Sequence, residues 1–391
     1  MKRLKIAVIG SKGLPPHQGG IEHHCAQLYP RLVKAGHCVD LYARSSYTKG
    51  EPVKLYEGVR IITVPSIKVK GFDAFACSGM AAAIALTKRY DIVHYHALGP
   101  SLFTPFTRLF SHAKVVVTCH GLDWQRAKWS KLPSRIIRLG EQAAVRYADR
   151  LIVVSEALQQ YFLTRYGKES AYVENAPVPY VDSDARFSFG RSHGLEQNRY
   201  LLFVGRLVPE KRIDLLIGAF QRLKLAGWKL VIVGDNSDSS DFVLKLLRLA
   251  NSEPNIVFTG ELYGRWLAEI VRGAGLFVLP SDVEGLPLVL LEAMQERVPV
   301  VVSDIPVHRQ MVMGGCGLTF AAGSEESLHE RLGWAIAQPQ AMQQMAQQAA
   351  GYVKMNHSWD AIADKYLAQY EALIRQTTQS VAPVRVGVKR P

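Results

Sequence analysis

Short apolar runs alternate along this chain with longer amphipathic stretches. Runs at 4–9, 38–42, 59–64, 92–96, 114–118, 151–154 and 171–173 have the length and β-branched content of buried strands. Between them, 20–35 and 134–147 carry apolar residues at helical spacing. This alternation predicts a parallel sheet covered by helices. Residues 177–198 interrupt it with Pro177, Pro179, Asp182, Asp184, Gly190 and Gly194, and read as a linker. A second alternation follows, with strands at 200–204, 230–233, 256–258, 276–279 and 298–301 and helices at 213–225 and 267–272. The pattern describes an α/β chain of two Rossmann-like, doubly wound domains, 1–176 and 199–354, facing each other across a central cleft. A last amphipathic helix at 355–375 is expected to pack back on the first domain, and the polar, basic tail 376–391 to be disordered.

Size and composition fit this picture. A chain of 391 residues is too long for one compact core. Its 48% hydrophobic and 21% charged residues are ordinary for a globular protein. Five scattered cysteines with no Cys-x-x-Cys spacing give neither a disulfide framework nor a zinc site, and suit a reducing cytoplasm. The apolar stretch 6–9, behind Lys2, Arg3 and Lys5, is too short for a signal peptide core, and no stretch is long enough to span a bilayer. The formal net charge of +13 implies an anionic partner. No nucleic-acid-binding module accompanies it, which leaves acidic lipid or a phosphorylated small molecule ahead of nucleic acid.

The chemistry gathers at the predicted strand ends. The apolar run 275–280 is followed by a Gly/Pro loop and then a helix. This places Glu284 in the loop and Glu292, after seven intervening residues, about two turns along the helix. Loops at the carboxyl ends of strands are where open α/β sheets bind ligands. A carboxylate accepts with both oxygens, so Glu292 can hold the two vicinal hydroxyls of a ribose and Glu284 those of a sugar. The amides of Gly285, Leu286 and Leu288 can contact sugar or phosphate, whereas Pro287 has none. Taken alone, Glu292 also reads as an exposed helix residue.

After the first strand of the second half come Arg206 and Lys211. A planar fork of donors and a mobile point charge together suit a diphosphate, although isolated Arg and Lys are usually solvated. After the first strand of the chain, Gly19 and Gly20 open a helix whose free amides suit a phosphate; a flexible turn is the alternative. The dinucleotide spacing Gly-x-Gly-x-x-Gly is absent. His120 lies just past the carboxyl end of the predicted strand 114–118 and can either hydrogen-bond a sugar hydroxyl or cap the strand. Asp182-Ser183-Asp184 lies in the linker rather than at a strand end, and reads as linker chemistry rather than a metal site. Residues 123–150 interleave Trp124 and Trp129 with Arg126, Lys128, Lys131, Arg135, Arg138, Arg146 and Arg150, and offer Ile136, Ile137 and Leu139 as apolar anchors. Such a stretch suits either an anionic membrane surface or a solvated helix with its tryptophans in the core.

Read in order, these pieces resemble glycosyltransferase family 4, the retaining enzymes with the GT-B architecture. The likeness runs to about Leu373. It rests on Gly19-Gly20-Ile21-Glu22, Lys34-Ala35-Gly36-His37, Asp91-Ile92-Val93-His94-Tyr95-His96, Thr118-Cys119-His120-Gly121, Val154-Ser155-Glu156, the segment Val204 to Lys211, Val233-Gly234-Asp235, Leu279-Pro280-Ser281, the two glutamates and Ser303-Asp304-Ile305-Pro306. Departures from it are Ala176 after Asn175, Arg212 after Glu210-Lys211, and Asn236 after Gly234-Asp235. None removes a presumed catalytic residue.

The resemblance implies transfer of a sugar from a nucleotide-diphosphate donor to a saccharide or lipid-linked acceptor hydroxyl, with retention and without a metal or other cofactor. It implies that Arg206 and Lys211 hold the diphosphate, Glu292 the ribose and Glu284 the donor sugar. Gly20 would approach the phosphates, His120 the sugar, and Glu261 and Leu262 the base. Catalytic roles then fall to Glu284, His120, Arg206 and Lys211. The opening 9–15 resembles bacterial members that build surface polysaccharides. With the cysteine usage and the stretch 123–150, the expected location is cytoplasmic, peripheral on the inner face of the membrane. A nucleotide-sugar epimerase of the same architecture and a non-catalytic carbohydrate-binding subunit are the competing readings.

Overall fold

The computed structural model describes residues 3–16, 19–47, 53–66, 73–125, 131–235, 240–250 and 253–380. Its first lobe holds strands β1 (Lys5–Ile9), β2 (Cys38–Arg44), β3 (Leu55–Tyr56), β4 (Val59–Val64), β5 (Ile92–His96), β6 (Lys114–Cys119), β7 (Arg150–Val153) and β8 (Ala171–Tyr172). They form one sheet in the order β3-β4-β2-β1-β5-β6-β7-β8. All its pairs are parallel except β3 with β4. The helices are α1 (Gly20–Lys34), α2 (Asp73–Leu86), α3 (Thr104–Phe110), α4 (Lys131–Tyr147) and α5 (Glu156–Tyr166). Side chains of a strand alternate between faces, and both faces here are covered. Ile6 and Val8 of β1 join a core with α1, whereas Ala7 and Ile9 join another with α2, α4 and α5.

The second lobe begins with α6 (Ser188–Ser192) and holds β9 (Tyr200–Val204), β10 (Lys229–Val233), β11 (Ile256–Gly260), β12 (Leu276–Leu279), β13 (Val300–Ser303) and β14 (Leu318–Phe320). These are parallel, in the order β11-β10-β9-β12-β13-β14. Around them lie α7 (Ile213–Leu223), α8 (Ser240–Ala250), α9 (Gly264–Arg272), α10 (Leu288–Gln295), α11 (Pro306–Met311), α12 (Glu325–Ala337) and α13 (Pro339–Asn356). The last helix, α14 (Trp359–Ser380), leaves this lobe. Its Trp359, Ile362, Ala363, Tyr366, Tyr370 and Leu373 fall at helical spacing and pack in the first lobe's core beside α1.

Three expectations need adjustment. Strands β3 and β14 carry too few residues to stand out as apolar runs. The segment 177–198 is more than a connector, because its Phe187 and Leu195 are buried in the second lobe's core and it contains α6. Helix α14 extends to Ser380, into the stretch expected to be disordered. Residues 381–391 lie outside the described residues.

Candidate functional site

In both sheets the strand order reverses beside the first strand. β1 lies between β2 and β5, and β9 between β10 and β12. At such a switch point the two neighbouring loops leave in opposite directions and open a crevice at the strand ends. Gly19 and Gly20 follow β1, Arg206 and Lys211 follow β9, and Glu284 follows β12. The two switch points face each other closely. A Cβ on Gly285 would sit 1.7 Å from the His120 carbonyl oxygen, and one on Gly121 would lie 3.4 Å from Gly285 Cα. Leu286 packs against apolar cores of both lobes. A Cβ on Gly20, at the start of α1, would be 3.9 Å from the Leu288 side chain. One cavity is lined by Gly121 and Leu122 from the first lobe and by Arg206, Glu210, Lys211, Val283, Glu284 and Gly285 from the second.

Lys211 and Glu284 are joined there by an ion pair between Nζ and Oε1, with side chains only 13% and 10% exposed. The Ser281 hydroxyl donates to the same oxygen at 2.8 Å. Burial alone would raise the Glu284 pKa. Lys211, the nearby His308 and the hydrogen bonds from Lys211 and Ser281 outweigh it and hold the carboxyl below its ordinary range. Lys211 is therefore not a solvated surface charge. It is a cation already poised against a carboxylate in the cavity that Arg206 also lines.

Glu292 lies about one turn into α10, not two, because the helix starts only at Leu288. It is half-buried rather than exposed. The Tyr180 hydroxyl donates to its Oε2 at 3.0 Å. Burial lifts its pKa to about 7, against the opposing pull of Tyr180 and the Val178 amide. At the end of β11, Glu261 is exposed and accepts from the Tyr263 hydroxyl, whereas Leu262 is buried in the second lobe's core. Leu288 is buried in the same core, so only its backbone is left for a ligand. Gly19 precedes α1 with φ 100°, where a Cβ would collide with the Glu22 carboxylate at 2.2 Å. Glu22 in turn accepts the Lys12 amide at 2.8 Å and ties down the loop after β1.

His120 is one member of a buried histidine cluster. Its Nε2 lies 2.9 Å from His96 Nδ1, and its ring meets His24 edge-on at 4.9 Å between centroids. His24, His94 and His96 are completely buried, and burial lowers all three pKa values, that of His24 to about 4. Tyr29, Tyr366 and Tyr370 complete the cluster. The sequence carried one signal for it: His94 and His96 are two apart on one strand and so share a face. Nothing in the sequence placed His24 or the α14 tyrosines beside them.

Trp124 packs inward, donating to Glu141 at 2.7 Å beneath the Arg138 guanidinium. Ile137 is buried as well. Arg126, Lys128 and Trp129 lie outside the described residues. Among the described residues, no helix is long and apolar enough to cross a membrane.

Comparison with known proteins meets this geometry from outside. Residues 18–176 match the family model for Glycosyltransferase Family 4, and residues 186–352 that for Glycosyl transferases group 1. The D-inositol 3-phosphate glycosyltransferase of Gordonia bronchialis is 27% identical over 384 residues, covering 90% of this chain and 83% of its own. A GDP-mannose-dependent alpha-mannosyltransferase of Mycobacterium tuberculosis is 35% identical over 181 residues, 46% of this chain and 44% of its own. Among solved structures, sucrose-phosphate synthase from Thermosynechococcus elongatus superposes with a TM-score of 0.80 at 22% identity, covering 97% of this chain and 100% of that one. Two parallel-sheet lobes with facing switch points, matched along both halves by these models, make this chain a GT-B protein of the family 4 glycosyltransferases.

Proposed function

We propose that the protein transfers a sugar from a nucleotide-diphosphate donor to a saccharide or lipid-linked acceptor, with retention at the anomeric carbon. The observation that carries this is the single cavity in which Arg206, Lys211 and Glu284 of one lobe meet Gly121 of the other. Arg206 and Lys211 supply positive charge where a diphosphate leaves, in a site sheltered from water, where such charge counts most. An incoming diphosphate takes over Lys211 from Glu284, and the released carboxylate becomes an acceptor for donor-sugar hydroxyls. Glu292 accepts both ribose hydroxyls, Glu261 and Leu262 lie beside the base, and Gly19 and Gly20 leave room for the phosphates. His120 faces the sugar. The bond from the anomeric carbon to the phosphate oxygen breaks as the acceptor oxygen attacks from the same face. The acceptor's proton passes to the departing phosphate oxygen, so no side-chain base is required and positioning does the work.

The test is a thermal-shift screen with UDP-, GDP-, ADP- and dTDP-sugars, followed by NMR of the products formed with candidate acceptors. Stabilisation by one donor class and an α-linked product from an α-linked donor are expected. A purified protein that neither binds nor turns over any nucleotide sugar refutes the reading. Conversion of the donor to a different sugar nucleotide without an acceptor would make it an epimerase instead.

A lipid-linked acceptor is favoured by one surface. Helix α3, packed against α4, exposes Phe106, Leu109 and Phe110, and α4 exposes Leu132 and Leu139 alongside Arg135, Arg138 and Arg146. Apolar anchors among arginines suit an anionic bilayer. Pelleting with anionic liposomes, lost in the Leu109→Ser/Phe110→Ser variant, is the expected result. Equal pelleting of that variant rules this surface out.

A further inference from the structure

Behind His120 runs a continuous chain of polar groups that the transfer reaction itself does not use. His120 Nε2 meets His96 Nδ1 at 2.9 Å, and His96 Nε2 meets the Tyr29 hydroxyl at 2.5 Å. That hydroxyl lies 3.0 Å from His94 Nδ1, which also meets the Tyr370 hydroxyl of α14 at 2.6 Å. His94 Nε2 ends the chain on Thr118 Oγ1 at 2.8 Å. The His96 and His120 ring planes are inclined at only 24°, with centroids 5.2 Å apart, so the two nitrogens meet nearly in plane.

A neutral imidazole has one N–H and one lone pair. Between His96 Nδ1 and His120 Nε2, one nitrogen must donate and the other accept. If His96 donates, its Nε2 accepts from Tyr29, and His120 carries its own proton on Nδ1. If His120 donates from Nε2, His96 passes its Nε2 proton toward Tyr29, Tyr29 donates to His94, and His94 donates to Thr118. Each arrangement satisfies the His120–His96–Tyr29 segment and ties the tautomer of His120 to that of His96, while at His94 Nδ1 the Tyr29 and Tyr370 hydroxyls compete for a single N–H or lone pair.

We propose that His96 is a positioning residue that fixes the tautomer and ring orientation of His120, and so decides whether His120 presents a donor or an acceptor to the donor sugar. The proposal rests on the glycosyl-transfer reading of the site. Tyr370 of α14 joins the chain at His94 Nδ1, so the last helix is part of the same network.

Two substitutions separate this role from simple packing. The amide of Asn reaches the place of an imidazole Nδ1, and that of Gln the place of Nε2. His96→Asn keeps a partner for His120, whereas His96→Gln keeps one only for Tyr29. With folding checked by thermal melting, His96→Asn is expected to retain about tenfold more kcat than His96→Gln, with donor KM similar in both. A packing role would favour the longer Gln, and kcat equal or higher in His96→Gln overturns the proposal. Imidazole ¹⁵N NMR gives a readout that does not depend on turnover. In the unmodified protein, one of His96 Nδ1 and His120 Nε2 should be protonated and the other bare, and in His96→Gln the His120 pair should average. Two nitrogens of the same type, or His120 signals unchanged in His96→Gln, also overturn it. Absence of turnover in the unmodified protein would instead count against the transfer reading, and leave the NMR result to stand on its own.

Discussion

Replacing Glu292 by Gln should make the protein more stable and less able to hold a nucleotide. The carboxyl is carried by burial from its ordinary 4.5 to about 7. In the unfolded chain it keeps its proton only below 4.5, whereas in the fold it keeps it up to about 7. Between those values the folded state binds the extra proton, so raising the pH withdraws stability until the loss is complete above 7. At about 1.4 kcal/mol per pH unit, the loss is about 0.8 kcal/mol at pH 5 and about 3 kcal/mol at pH 8, an upper figure that solvent relaxation reduces. Gln has no such proton and escapes the loss. Glu292→Gln should therefore match the unmodified protein near pH 4 and melt several degrees higher at pH 8, at about 2–4 °C per kcal/mol. Binding should move the other way. A ribose diol offers two O–H donors, a carboxylate accepts both, and an amide accepts with one oxygen only. Nucleotide affinity should fall about tenfold to a hundredfold. In the unmodified protein, affinity should rise between pH 6 and 8 as Glu292 ionises. Calorimetric titration and differential scanning calorimetry at both pH values decide the matter. A stability difference that does not grow with pH, or undiminished nucleotide affinity, refutes the reasoning.

Lys211→Ala should weaken nucleotide binding by at least about tenfold and cost about 2–4 kcal/mol, because it leaves Glu284 buried without its cation; unchanged affinity by calorimetry rules out the diphosphate role. Glu284→Gln should bind a nucleoside diphosphate no worse than the unmodified protein, since Lys211 is released, while transfer falls about a hundredfold. Its stability deficit reflects a depressed carboxyl pKa, so it should be present above pH 4.5 and fade as the pH falls below it, read from urea unfolding at pH 7 and pH 3.5. Gly285→Ala puts a methyl against the His120 carbonyl. It should open the cleft, seen as a larger radius of gyration in solution scattering, and lower kcat about tenfold or more with the lobes still folded.

The strands at 200–204 and 276–279 were legible because a parallel sheet buried on both faces needs short, unbroken apolar runs. The positions of Arg206, Lys211 and Glu284 just past strand ends were legible too, because chain direction and strand–helix alternation fix which loops border the cleft. Glu292 was misplaced by about a turn, since the Gly/Pro loop before α10 does not announce where its first helical residue falls.

What only the tertiary structure decided are the partnerships between distant segments. Tyr180 holds Glu292 from 112 residues away, and Tyr370 reaches His94 across 276. Gly285 meets His120 between lobes that each fold on a separate sheet. The physical reason is that hydrophobic periodicity is a local code, whereas a buried polar group takes whatever partner the packed fold delivers to it. Whether Lys211 is solvated or paired, and whether Glu292 titrates near 4.5 or near 7, depends on which groups surround it after folding, and one-dimensional spacing does not contain that.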